Sequence, residues 1–186
     1  WRCHMKRKIA VFLIVAVITA SICPMLALST SAQNAELFSD YYKVKYSTQN
    51  GMPDNSVYDI AQTSDGMIWL ATASGLVKYD GFGFELINRE NTDGFIASAV
   101  TNLFADSQGN LWIGTNDSGL ICKSESGYKT YDIESGAPSN AVRGIDERSD
   151  GSIVVATANG IYSINVDGVV TVFDNPNGLS VQANIM

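Results

Sequence analysis

The chain has 186 residues, 12 basic and 19 acidic side chains, a formal net charge of −7 and 46% hydrophobic residues. That length allows one or two ordinary domains. Residues 33–186 hold all 19 acids against 8 bases, a net charge of −11, and so acidic a surface repels phosphate backbones and speaks against a nucleic acid partner.

The first 32 residues stand apart from any fold. "WRCH" precedes Met5 and reads as sequence upstream of the true start. Lys6, Arg7 and Lys8 then lead into the uncharged run "IAVFLIVAVITASI", residues 9–22. A basic start, a short apolar stretch and small residues describe a secretory signal. Thr30 and Ala32 supply the small residues before an expected cleavage after Ala32. The apolar run continues through "CPMLAL" to a length that also suits an uncleaved anchor, with Lys6–Lys8 left cytoplasmic. Both readings export the remainder of the chain. Cys23 raises a lipoprotein reading, which Ile22 opposes because a small residue is expected there.

From Val57 the chain repeats itself. The first unit is "VYDIAQTSDGMIWLATASGLVKYDGFGFELIN" (57–88). The second is "VTNLFADSQGNLWIGTNDSGLICKSESGYKTYD" (100–132) and the third is "VRGIDERSDGSIVVATANGIYSINVDGVVTVFD" (142–174). Gly66, Gly109 and Gly151 keep register, as do Thr72, Thr115 and Thr157, and Gly51, Gly94, Gly136 and Gly178. Each unit divides into four short apolar runs separated by Asp-Gly, Ser-Gly or similar turn signals, the pattern of β-hairpins. Four meandering strands in about 42 residues is the size of one propeller blade. The predicted fold is therefore all-β: a partial β-propeller of about three four-stranded blades at 57–88, 100–132 and 142–174.

A lone blade leaves both faces bare, so neighbouring blades must cover them. Trp69 and Trp112 occupy one place in successive blades, with Val154 third, and are expected to wedge between sheets rather than to stack on a sugar. Ala71, Gly114 and Ala156 are small where sheets crowd. The segment 41–57 aligns with the end of a blade, so it predicts an N-terminal closing strand, and "NGLSVQANIM" (177–186) predicts the start of a further blade. Three blades do not close a ring, so residues 33–186 are expected to be the N-terminal part of a larger propeller. Its remaining blades would be intramolecular partners.

Little catalytic chemistry is on offer. His4 is the one histidine, so residues 33–186 lack a Ser-His-Asp or Cys-His arrangement. Cys122 alone follows residue 32, which excludes a nitrogen–sulfur zinc site and points to a buried inert thiol. "SDG", "NDSG" and "NPNG" lack the spacing of a calcium loop and read as turns. Asp146 and Glu147, adjacent on a strand, face opposite ways. No catalytic residue, metal or cofactor is expected. Binding is the remaining option. The loops entering the innermost strands, "MPDNSVY", "FIASAVT" and "APSNAVR", place Asn55, Ser98 and Asn140 at one position and Tyr58, Thr101 and Arg143 at another. These six form a candidate ligand-binding ring at the mouth of the channel; the competing reading has Asn55 and Asn140 capping their turns.

The stretch "NGMPDNSVYDIAQTSDGMIWLATASGLVKYDG" resembles the two-component regulator propeller repeat, through "DNSV", "DG-IW" and "GL-KYDG". The likeness is close in the first unit, good in the second and weaker in the third, where Val154 replaces tryptophan. The resemblance implies an extracytoplasmic sensor region of a bacterial membrane signalling protein, with a downstream membrane helix and a histidine kinase or diguanylate cyclase output that this chain does not contain. The amides, hydroxyls and one guanidinium of the candidate ring suit an extracellular small molecule or glycan, held through hydroxyls or a carboxylate, and the resemblance implies a homodimer in the full-length protein. A secreted scaffold and a polysaccharide-active propeller enzyme are the alternatives.

Overall fold

The computed structural model describes residues 43–173; the signal or anchor segment, Cys23 and the further blade expected at 177–186 lie outside them. The chain divides into two compact units, Trp1–Lys45 and Tyr46–Met186, and every described strand belongs to the second.

Twelve strands form three antiparallel meanders. The first sheet has β1 (Val57–Gln62), β2 (Ile68–Thr72), β3 (Gly75–Tyr79) and β4 (Phe84–Ile87) in that order. The second has β5 (Asn102–Ala105), β6 (Leu111–Gly114), β7 (Leu120–Ser124) and β8 (Gly127–Tyr131). The third has β9 (Val142–Glu147), β10 (Ile153–Thr157), β11 (Gly160–Ile164) and β12 (Val170–Val172). β1 packs against β5, and β5 against β9, so the first strands of successive sheets lie side by side, as around a propeller axis. Among the described residues there is no α-helix and none long and apolar enough to cross a membrane; a 3-10 turn covers Thr48–Asn50.

The turn chemistry explains the repetition. In each β1–β2-type turn the fourth residue is glycine: Gly66 N–H donates to Thr63 O, Gly109 N–H to Asp106 O and Gly151 N–H to Arg148 O. All three glycines have φ between +80° and +88°, where a side chain would be strained. The repeated threonines act next. Thr72, Thr115 and Thr157, all buried, donate their hydroxyls to the carbonyls of Gly75, Gly119 and Gly160 at 2.7–2.8 Å. Each closes the following hairpin and satisfies its own buried hydroxyl.

The core lies between sheets. Trp69 is buried in one cluster with Leu76 and Ile87 of its own sheet and Leu103, Leu111 and Ile113 of the next. Trp112 is buried with Ile153, Val155, Tyr162 and Ile164 of the third sheet. Both tryptophans are thus wedges between sheets. Each indole N–H is also satisfied from the turn six residues back: Trp69 Nε1 donates to Thr63 Oγ1 (2.9 Å) and Trp112 Nε1 to Asp106 Oδ2 (2.8 Å). In the third sheet Val154 needs no acceptor, and Arg148 stands at that turn position. The expected crowding is sharpest at Gly114, where an added Cβ would meet Val142 Cγ1 at 2.8 Å.

Backbone contacts also cross between sheets. Val100 N–H donates to Thr72 O (3.0 Å) and Val142 N–H to Thr115 O (2.9 Å). The Asp59 carboxylate accepts from Leu103 N–H (2.8 Å). The predicted closing strand begins outside the described residues; residues 43–47 form no strand beside the first sheet, whose four strands are its own. Met52 packs on Leu70 and Val77, and the Tyr46 ring lies tilted on Tyr79 and edge-on to Phe84, its hydroxyl 2.7 Å from that of Tyr79.

Candidate functional site

A meander alternates its ends. The loops into β1, β5 and β9 therefore share one end of the sheets with the β2–β3, β6–β7 and β10–β11 hairpins, while the β1–β2 and β3–β4 types of turn lie at the other. All six predicted site residues fall at the first end.

There the structure separates the six into two kinds. Asn55 and Asn140 hold turns: Asn55 Oδ1 accepts from Thr48 N–H (2.9 Å) and Nδ2 donates to Thr48 Oγ1 (3.1 Å), and Asn140 Oδ1 accepts from Ile133 N–H (2.9 Å). The spacing of seven residues is the same in both. Ser98, at that position in the second loop, is half-buried. Tyr58 and Arg143 are different. Val57 faces Thr72 and Asp59 faces Ala71, so Tyr58 is the extra residue of a β-bulge. Val142 faces Thr157 and Gly144 faces Ala156, which leaves Arg143 in the same position. Bulges re-aim a side chain away from its strand's alternation. Tyr58 and Arg143 are exposed; the Arg143 guanidinium donates to Asn116 Oδ1 (2.8 Å). Thr101 instead turns its hydroxyl toward Asn102 Oδ1 (3.0 Å) and Gly114 O (3.2 Å). Asn102 in turn donates to Arg143 O (3.4 Å), linking the mouths of β5 and β9.

Asp54, next to this ring, was not singled out by its sequence. Its carboxylate accepts from Ser56 N–H (2.8 Å) and Ser74 Oγ (2.7 Å), tying the loop to the β2–β3 hairpin. The Ser56 backbone bond, then the Ser74 hydroxyl, hold its carboxyl below the usual aspartate value. The signal for it was the "DNS" turn itself, in which Asp bonds its own backbone two residues on.

A cleft of about 610 Å³ opens at the opposite end, between the first two sheets. Ser64, Asp65 and Trp69 line one wall, and Asn110, Lys123 and Ser126 the other. The Lys123 ammonium lies 5.3 Å from the centre of the Trp69 ring. Asp65 accepts from Thr63 Oγ1 (2.6 Å) and Met67 N–H (3.2 Å); these bonds, the hydroxyl's first, and the charge of Lys123 lower its carboxyl. Cys122 is buried, and desolvation, with a smaller push from Asp106, raises its thiol to about 11. Such a thiol is not a thiolate at neutral pH. No group of histidine, cysteine or acidic side chains arranged to hold a metal occurs among the described residues.

Comparison with known proteins agrees with this architecture. Residues 51–74 and 94–117 match the family model described as two component regulator propeller. They are equivalent stretches of the first and second sheets, each ending just past the threonine of its second strand. "Histidine kinase P4" of Formosa agariphila is 30% identical over 79 residues, which are 42% of this chain and 6% of that protein. The extracellular domain of a protein assigned as a hybrid two component system from B. thetaiotaomicron is 26% identical, with a TM-score of 0.63 over 71% of this chain and 19% of that one. A streptogramin B lyase is also 26% identical, with a TM-score of 0.53 over 68% of this chain and 43% of the lyase. The chain thus spans a small part of the kinase and of the extracellular domain, and less than half of the lyase. The stretches 51–74 and 94–117 are two-component regulator propeller repeats, carried here on the first two of three β-propeller sheets.

Proposed function

We propose that this chain is the ligand-sensing, extracytoplasmic propeller segment of a bacterial membrane signal-transduction protein. The similarity to the extracellular domain of a hybrid two component system, over 71% of this chain, carries the reading. The kinase relative supports it. The output, a kinase or cyclase, would lie beyond a membrane helix in a longer protein that pairs as a homodimer. The signal is a small molecule or glycan, received at the channel mouth. Tyr58 and Arg143 would contact it directly from their bulges, beside Ser98 and Thr101. Asn55 and Asn140 would position their loops. Binding rather than catalysis fits residues without histidine and with a protonated, buried cysteine.

The test uses the full-length protein in a reporter strain grown on a panel of polysaccharides. Tyr58→Ala combined with Arg143→Ala abolishes the induced response while the protein still reaches the membrane in normal amount. An unchanged response sinks the channel-mouth assignment. The lyase neighbour favours a second reading, a secreted propeller enzyme. Reading the gene beyond Met186 separates the two. A membrane span followed by a kinase or cyclase supports the sensor, and a stop codon directly after a completed ring supports the enzyme.

A further inference from the structure

The two inter-sheet junctions differ at one pair of positions. At the end bearing the cleft, the third sheet reaches back to the second through Glu147. Its carboxylate accepts from Ser107 N–H (2.9 Å) and from Ser107 Oγ (2.5 Å). The same two positions at the first junction are Ser64 and Ala105. The register is identical, since Glu147 faces Ile153 and Ala105 faces Leu111. A methyl group accepts nothing, so no carboxylate spans the sheets at this pair of positions, and the 610 Å³ cleft lies in the gap with Ser64 on its wall. That volume is in the range of small-ligand pockets.

A second difference coincides with the first. Lys123 faces Leu111 and lines this cleft, and the equivalent position of the next junction, facing Ile153, is the buried Ile164. The cation therefore stands at the junction that lacks the carboxylate. Among the described residues, the ion pair within 4.0 Å is Lys78–Glu85, and Lys123 has none. Its ammonium instead sits over the Trp69 ring at 5.3 Å.

We propose that the cleft between the first two sheets binds a small monocarboxylate whose carboxylate occupies, beside Ser64, the place that Glu147 occupies beside Ser107. Ser64 N–H and Oγ–H donate to it, and Lys123 supplies the opposing charge, giving charge-assisted bonds. Asp65 and Glu125 on the walls and the net charge of −11 over residues 33–186 oppose any anion; Lys123 and the Ser64 donors offset that for one carboxylate and leave nothing to offset it for a second anionic group. This selects a single carboxylate with a neutral remainder over phosphates, sulfates and dicarboxylates. Ser126 and Asn110 favour hydroxyls on that remainder. The proposal stands apart from the channel mouth and from any signalling role.

The chain is titrated with gluconate, lactate and acetate, and with sulfate and glycerol as controls, while amide and side-chain resonances are followed by NMR. Gluconate or lactate shifts Ser64 and Lys123 saturably, and the controls do not. Ala105→Glu installs the internal carboxylate and weakens binding by roughly tenfold or more, as does Lys123→Met, in line with the loss of a charge-assisted bond. Thermal midpoints confirm that both variants fold; should Ala105→Glu not fold, Lys123→Met decides alone. Absence of any monocarboxylate effect up to about 50 mM, a range that detects very weak complexes, overturns the proposal. So does equal binding by sulfate, or binding that survives the substitutions.

Discussion

Val57 in the first sheet and Val100 in the second stand at the same position of the repeat, yet Val57 is 42% exposed and Val100 fully buried. Three residues further on, Ile60 is 62% exposed and its counterpart Leu103 only 8%. Ile60 faces Leu70 and Leu103 faces Ile113, the same partner in each second strand. The difference is the neighbour. Leu103 and Val100 face the first sheet, which covers them with Trp69, Ala71 and Leu76, whereas nothing described packs as a full sheet on the innermost strand of the first. Burial here is a property of the junction and not of the blade. A side chain of this size gains about 1.5–3 kcal/mol on burial, and in a propeller that gain arrives only when the next sheet does.

Three perturbations break or sharpen this contrast. The largest effect is expected from truncating the paired positions. Leu103→Ala destabilises the chain by about 2–5 kcal/mol, the range for a buried leucine, while Ile60→Ala changes it by no more than about 0.5 kcal/mol, as at exposed sites. Denaturant unfolding of the two variants measures both. Similar losses would mean that the first sheet's face is covered as well.

The next effect concerns how closely the sheets approach. Gly114 and Ala71 are equivalent, and Ala71 accommodates its methyl in full burial. At Gly114 the same methyl would meet Val142 Cγ1 at 2.8 Å and Asn102 Cβ at 3.1 Å. Gly114→Ala is therefore expected to cost about 1–3 kcal/mol through overpacking, read from the same unfolding curves. An undiminished midpoint would show that the second and third sheets stand further apart than the distances indicate.

The smallest effect is the response to acid. Asp54, Asp65 and Asp80 hold turns of the first sheet, and Asp132 and Asp150 hold one turn each further along. Local donors depress all five carboxyls below their usual value of 3.8: chiefly Ser56 N–H for Asp54, the Thr63 hydroxyl for Asp65 and Gly83 N–H for Asp80. The Ser135 and Ser152 hydroxyls act likewise on Asp132 and Asp150. The unfolded chain binds these protons more readily than the folded one. The stabilisation is thus present above the ordinary aspartate range and is lost as pH falls through and below about 4. Exposed groups contribute little each. With three of the five in the first sheet, amide exchange at low pH should accelerate there first; uniform acceleration across the sheets would contradict the assignment.

Much of this was legible in the residues. "SDG", "SQG" and "SDG" between apolar runs mark turns whose geometry is local, and the strands began and ended within a residue or two of those runs. The wedge role of Trp69 and Trp112 followed from their recurrence. The accompanying change from Thr63 and Asp106 to Arg148, in step with Trp to Val154, was present in the sequence as well. Its meaning depends on a side chain folding back six residues to its own turn. The six candidate residues fall together at the end where the loops enter the first strands, as their place in the repeat predicts, but residue types could not reveal that Tyr58 and Arg143 sit on bulges while Thr101 turns its hydroxyl inward. The cleft was not visible at all. Neither Ser64 nor Ala105 has chemistry of its own to attract notice.

The order of residues by itself determined that this chain is all-β, that its unit is a four-stranded meander, and where each hairpin turns, because those choices rest on φ preferences and alternation within a few residues. Tertiary structure decided which copies of an identical position are buried, which polar side chains bridge sheets and where a gap remains. Those outcomes depend on distances between sheets some forty residues apart, which no local preference encodes.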